Sequence, residues 1–121
     1  MYLLNHIAII VSSEDGVSFY KSLGFIEKER LIRPECHDEV IYLSNGLLTL
    51  EIYKDKTHPN RLSNPESLGL RHLCFQVEDI GSDYKINNRG QKFKYLNDPD
   101  GLPIEIIEVK PKKPDDWSFS E

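Results

Sequence analysis

The chain repeats itself. Asn5-His6-Ile7-Ala8-Ile9-Ile10-Val11 returns as Arg71-His72-Leu73-Cys74-Phe75-Gln76-Val77, and Tyr42-Leu43-Ser44-Asn45-Gly46-Leu47-Leu48-Thr49-Leu50-Glu51 returns as Tyr95-Leu96-Asn97-Asp98-Pro99-Asp100-Gly101-Leu102-Pro103-Ile104-Glu105. Each half supplies one His at the head of its first strand and one Glu in its last, both flanked by apolar residues. A repeated module builds a pseudo-symmetric structure, and equivalent positions meet at its symmetry axis. Two imidazoles and two carboxylates brought together there suit one divalent cation.

At 121 residues the chain is long enough for one core and not for two independent ones. Its 39% hydrophobic and 29% charged residues fit a globular domain. A net charge of −5, with no groove-like block of Lys and Arg, argues against a nucleic-acid partner. Apolar runs such as Ile7 to Val11 are too short to cross a bilayer, so no membrane is expected. Met1-Tyr2-Leu3-Leu4 runs straight into the first strand without a basic leader, and a cytoplasmic protein is expected. Cys36 and Cys74 form no CxxC pair, and Cys74, inside a strand, reads as a buried reduced thiol.

Ile7 to Val11 reads as a strand. Ser12 or Ser13 followed by Glu14 and Asp15 makes a helix start, Val17, Tyr20 and Leu23 follow at helical spacing, and Gly24 stops it. Strands are predicted over Phe25–Ile32, Val40–Leu43 and Leu47–Tyr53, giving β-α-β-β-β over about residues 3–53. Lys54 to Gly69 makes a linker, and a second module spans about 70–109, with strands at Leu70–Val77, Phe93–Leu96 and Ile104–Val109. A polar, prolyl tail over 110–121 completes a single domain of 1–121. Trp117 in that tail is a candidate to pack on the sheet or on a partner.

The halves are unequal. His6 to Glu51 spans 45 residues and His72 to Glu105 only 33, the shortfall lying between Asp79 and Phe93. Gly81 to Asn88 has no apolar stripe that could pack a helix. Either the second module lacks its helix, or residues are missing from the sequence between Asp79 and Arg89. A bare sheet flank is costly, which favours the second reading.

Taken alone, each His and Glu has a bland alternative as a structural or solvated side chain. The repeat changes that, because solvent-facing residues have no reason to recur at equivalent places while ligands of a shared ion do. Two carboxylates offset a divalent charge that would otherwise be costly to bury. Two imidazoles complete an N/O set suited to Ni²⁺, Co²⁺, Fe²⁺, Mn²⁺ or Zn²⁺. The predicted ligands are therefore His6, Glu51, His72 and Glu105. His37 and Cys36, in the polar loop Arg33-Pro34-Glu35-Cys36-His37-Asp38, and the Asp98-Pro99-Asp100-Gly101 turn read as loop chemistry.

The His–Glu–His–Glu order, the Asp98-Pro99-Asp100-Gly101 turn and the strand Ile104-Glu105-Ile106-Ile107-Glu108 resemble the vicinal oxygen chelate superfamily, nearest to glyoxalase I and its small bacterial relatives. The resemblance implies an α+β fold of two βαβββ modules with curved sheets around a metal, and a homodimer. It implies one divalent ion on His6, Glu51, His72 and Glu105. It also implies a lyase or isomerase that moves a proton through a metal-stabilised enediolate of a small 2-oxo, 2-hydroxy or hemithioacetal substrate. Glu105, then Glu51, is the expected catalytic base. Drug-sequestering binding proteins and Fe²⁺ dioxygenases of the same superfamily are the rival functions. Bacterial glyoxalase I has an Arg four residues after the first His and an Asn four after the first Glu, where this chain has Ile10 and Asp55. The resemblance therefore points away from glutathione as the thiol.

Overall fold

The computed structural model describes residues 1–62 and 64–110. Ten short elements follow the repeat. They are β1 (His6–Val11), α1 (Glu14–Ser22), β2 (Ile26–Arg33), a 3₁₀ turn (Pro34–Cys36), β3 (Asp38–Ser44), β4 (Thr49–Lys54), β5 (Leu73–Val77), β6 (Lys85–Ile86), β7 (Lys92–Asn97) and β8 (Pro103–Glu108). The strands form two four-stranded sheets, ordered β1-β4-β3-β2 and β5-β8-β7-β6. In each, the first strand runs parallel to the last and the remaining pairs are antiparallel. The architecture is α+β with two modules, as predicted. Trp117 lies outside the described residues.

The chain divides into two compact units. Among the described residues, the first holds 1–62, 64–65 and Asp98–Leu102, the second 66–97 and 103–110. In the first unit, strand alternation sends Ile9 and Val11, Ile41 and Leu43, and Leu50 and Ile52 to one face, where all are buried. Full burial of each such side chain contributes about 1.5–3 kcal/mol. Helix α1 adds buried Val17 and Tyr20. Its Ser13 cap accepts from the Asp15 N–H, and Glu14 and Asp15 complement the positive end of the helix dipole. Gly16 is required by the packing, since a Cβ there would lie 2.5 Å from Cβ of Val11.

The same unit contains a buried carboxylate. Asp98 accepts from the Tyr20 hydroxyl at 2.6 Å through Oδ2, and from the Asp100 and Leu102 N–H groups through Oδ1. Burial, and then Asp98 itself, hold the Tyr20 phenol well above its ordinary pKa. Asp100 in turn accepts from the backbone N–H and hydroxyl of Ser12. The sequence reading of Asp98-Pro99-Asp100-Gly101 as turn chemistry is right but incomplete, because nothing local signalled the partner 78 residues away.

The second unit has no helix among its described residues. From Asp79 to Phe93 the chain passes through turns and β6, with no helix. The sheet face that a helix covers in the first unit carries Leu73, Ile104 and Ile106, and the chain lays buried Ile80 there instead. The Ile80 N–H donates to Glu108 and its carbonyl accepts from Lys94, tying this crossing to β8 and β7. Among the described residues no helix is long and apolar enough to cross a membrane.

Candidate metal centre

Alternation that buries Leu50 and Ile52 turns Glu51 to the other face of its sheet, which carries no helix. Register places Ala8 and Tyr42 beside Glu51, and Ile10 beside Tyr53. His6 Nε2 stands 3.2 Å from Glu51 Oε2, while Glu51 Oε1 accepts from the Tyr53 hydroxyl. That contact raises the Tyr53 pKa. The Arg33 guanidinium sits 5.1 Å from the centre of the Tyr53 ring. Asp38 grips it through two bonds of 2.8 and 2.7 Å, and the guanidinium holds the Asp38 carboxyl below its usual range. Ile10 is half-exposed on this open face, and Asp55 is engaged by the Thr57 N–H and hydroxyl.

The second unit repeats the pair. His72 Nε2 lies 3.2 Å from Glu105 Oε1, between buried Ile104 and Ile106. Tyr95, paired with Glu105 across β7 and β8 as Tyr42 is with Glu51, presents its ring edge-on to His72 at 5.4 Å. Cys74, expected to be buried, is exposed and stands beside Glu105 on the neighbouring strand. The correction has a simple cause: Cys74 points to the open face with Glu105, while Leu73 on the other face is the buried one. Partial burial, and then Glu105, push the Cys74 pKa up to about 11, so it is a thiol at neutral pH.

The structure thus brings His6 together with Glu51 and His72 together with Glu105. Among the described residues no three His, Cys, Asp or Glu side chains gather as a ligand set, so the four candidates stand as two pairs, one in each unit. Each pair fits a metal by donor type and spacing. Two ligands at right angles with bonds of about 2.1 Å lie about 3.0 Å apart. The first pair fits further by its proton. His6 Nδ1 donates to the Asn5 side-chain oxygen at 2.8 Å, which orients the ring so that Nε2 faces Glu51 and is the nitrogen available to a metal. The second pair differs, because Arg71 can only donate to His72 Nδ1, at 3.2 Å, which puts the proton on Nε2. Ligation through that Nε2 requires the proton to shift to Nδ1 and Arg71 to turn aside.

Sequence reasoning named the four ligand candidates and missed their supports: Tyr53, Arg33, Cys74, Tyr95 and Arg71. One signal was available. Tyr53 and Cys74 each stand two residues beyond a candidate ligand, and a period of two in a strand means a shared face.

No protein-family model matches the chain. The uncharacterized protein YaeR of Escherichia coli K12 is 36% identical over 124 residues, covering 87% of this chain and 95% of its own length. That span exceeds the length of this chain, so the relative carries internal residues for which this chain has none. The solved glyoxalase family protein from Enterococcus faecalis is 34% identical with a TM-score of 0.80, covering 88% of this chain and 97% of that one. The chain belongs to the glyoxalase family. Two more distant structures share the fold of this glyoxalase-family chain. The trypanothione-dependent glyoxalase I of Leishmania major has a TM-score of 0.67 at 20% identity over 89% of this chain and 87% of that one. A bleomycin-binding protein in complex with bleomycin has a TM-score of 0.57 at 18% identity over 90% and 100%. The fold thus carries an enzyme and a binding protein, and the choice between them rests on the residues of the site.

Proposed function

We propose that this glyoxalase-family chain is a divalent-metal-dependent lyase or isomerase acting on a small 2-oxo or 2-hydroxy compound, or on a hemithioacetal made from one. His6, Glu51, His72 and Glu105 hold its single ion, drawn from Ni²⁺, Co²⁺, Zn²⁺, Mn²⁺ or Fe²⁺. The observation that carries this reading is the His–Glu pair at 3.2 Å, repeated in both units on the sheet face opposite the buried residues that flank each Glu. A bound ion stabilises negative charge on two vicinal oxygens of the substrate as a proton leaves carbon.

The chain's own residues supply the rest. His6 and His72 offer imidazole nitrogens, His72 once its Nε2 proton has moved, and Glu51 and Glu105 balance the charge. Glu105 takes the proton from one carbon and returns it to its neighbour, the work of a general base and then acid. Ile10 and Leu31, half-exposed beside Tyr53 and Val40 respectively, offer apolar contact to the substrate's remaining end. Ile10 offers no charge to a glutathione carboxylate, so the thiol of a hemithioacetal substrate is a different one. We assign the working form as a homodimer, which light scattering of the purified protein tests directly.

The test begins with metal analysis of protein purified without a histidine tag, followed by a hemithioacetal isomerisation assay over a panel of thiols. One equivalent of metal and turnover with at least one thiol are expected. Glu105→Gln, which keeps the shape of the side chain, should lower kcat by about 10²–10⁴. If neither bound metal nor any turnover is found, the enzyme reading is lost and a ligand-sequestering protein takes its place. Oxygen uptake with catechols would instead reveal a dioxygenase.

A further inference from the structure

The two carboxylates of the repeat are held by unlike donors. In the first unit Glu51 divides its oxygens: Oε1 accepts the Tyr53 hydroxyl while Oε2 faces His6. Tyr53 is itself held, with Arg33 over its ring and Asp38 gripping Arg33. A cation over an aromatic face draws on its electron density, and so makes the attached hydroxyl a stronger donor. A hydroxyl on a carboxylate is a charge-assisted hydrogen bond, roughly twice as strong as a neutral one.

In the second unit the residue two beyond Glu105 is Ile107, which has no hydrogen to give. The side chain placed to donate is instead the Cys74 thiol of the neighbouring strand, where Cys74 pairs with Glu105 across β5 and β8. Its counterpart in the first unit is Ala8, beside Glu51 and without a donor. A thiol is a weak donor. Once both imidazoles give their Nε2 lone pairs to the metal and His72 no longer donates to Glu105, Glu51 keeps a hydroxyl donor and Glu105 has only a thiol, although the repeat sets them in equivalent places.

Resting on the metal-dependent reading above, we infer that Tyr53 and Cys74 are positioning residues that divide the work of the two carboxylates. Tyr53 fixes Glu51 as a standing ligand. Cys74 leaves Glu105 free to exchange between ligation and the substrate's proton. Both act through a carboxylate and touch no reacting atom.

Zn²⁺ titration of the stripped protein against a chromophoric chelator, Co²⁺ visible absorption and steady-state kinetics test this together, with circular dichroism as the check on folding. Tyr53→Phe keeps the ring under Arg33 and removes only the hydroxyl. It should weaken Zn²⁺ binding about 10–100-fold, as loss of a residue that orients a ligand does, and should alter the Co²⁺ spectrum. Cys74→Ser supplies a stronger donor to Glu105. It should leave Zn²⁺ binding as tight as in the wild type or tighter, and lower kcat while KM stays put. Tyr53→Phe with unchanged affinity and spectrum overturns the inference, as does Cys74→Ser with undiminished kcat. If Tyr53→Phe fails to fold, the Cys74→Ser arm decides alone. A wild type that binds no Zn²⁺ or Co²⁺ overturns the metal reading itself, and that failure is seen before any variant is compared.

Discussion

Removing one oxygen from the core should cost this protein a large part of its stability. Tyr20 is fully buried, and its hydroxyl gives the hydrogen bond of 2.6 Å received by Asp98 Oδ2. Asp98 is itself buried, and its other oxygen is already committed to two backbone N–H groups. Tyr20→Phe preserves the ring and leaves Oδ2 of an ionised carboxylate with no donor. A buried acceptor stranded in this way costs about 1–3 kcal/mol, and more when charged, so about 3 kcal/mol is expected. Urea unfolding followed by far-ultraviolet circular dichroism reads the loss as a lower midpoint at unchanged slope. Asp98→Asn in the Tyr20→Phe background removes the stranded charge, and the double variant should recover part of the loss. Tyr20→Phe within about 0.5 kcal/mol of wild type, the range of ordinary surface changes, would refute the argument that this pair is dry and mutually dependent.

Three further outcomes are expected. Gly16→Ala should destabilise by about 1–3 kcal/mol through overpacking against Val11, and a gain of about 1 kcal/mol in thermal or urea unfolding would mean that helix propensity prevails. Glu14, held down to about 2 by Arg30 and then Lys54 despite opposing desolvation, contributes stability that is fully present above its ordinary value of 4.5 and is lost as pH falls toward 2. The side chain is half-exposed, so the effect is under about 1 kcal/mol; Glu14→Gln should differ from wild type in urea at pH 6 and converge with it near pH 2. Ile10→Arg should raise kcat/KM for the glutathione hemithioacetal and leave apolar thiol adducts little changed, and wild-type turnover of the glutathione adduct at about 10⁵ M⁻¹s⁻¹ or above would show that no cation is needed there.

Much of the fold was legible because it rests on short periods. Strand alternation around Glu51 and Glu105 announced which neighbours would be buried, and Ser13 and Gly24 bounded the helix. The pairing of each His with its Glu was legible only through the repeat, since nothing local links residues 45 and 33 positions apart. Long-range polar contacts were not legible at all. Tyr20 looked like one more apolar helix residue, and only the structure brings Asp98 to its hydroxyl. The exposure of Cys74 was missed because its place in a strand does not say which face it takes, and its sheet buries the face of Leu73. Ile80, a lone apolar residue outside any stripe, gave no hint that it would stand where a helix does in the first unit.

The parallel pairing of first and last strands has a consequence for how the chain comes together. β4 and β8 are made last in their modules, yet each sits inside its sheet, between the first strand and the third. β1 therefore has no backbone partner until residue 49 exists, and β5 none until residue 103. Closing such a loop incurs its entropic cost before any contact rewards it. At a synthesis rate of roughly 5–20 residues per second, β5 waits a few seconds with its N–H and C=O groups unpaired. The strands that bring the candidate carboxylates are the ones that complete the hydrogen-bond ladders. A nascent chain can thus acquire Glu51 or Glu105 on an ordered face only by finishing the sheet that bears it.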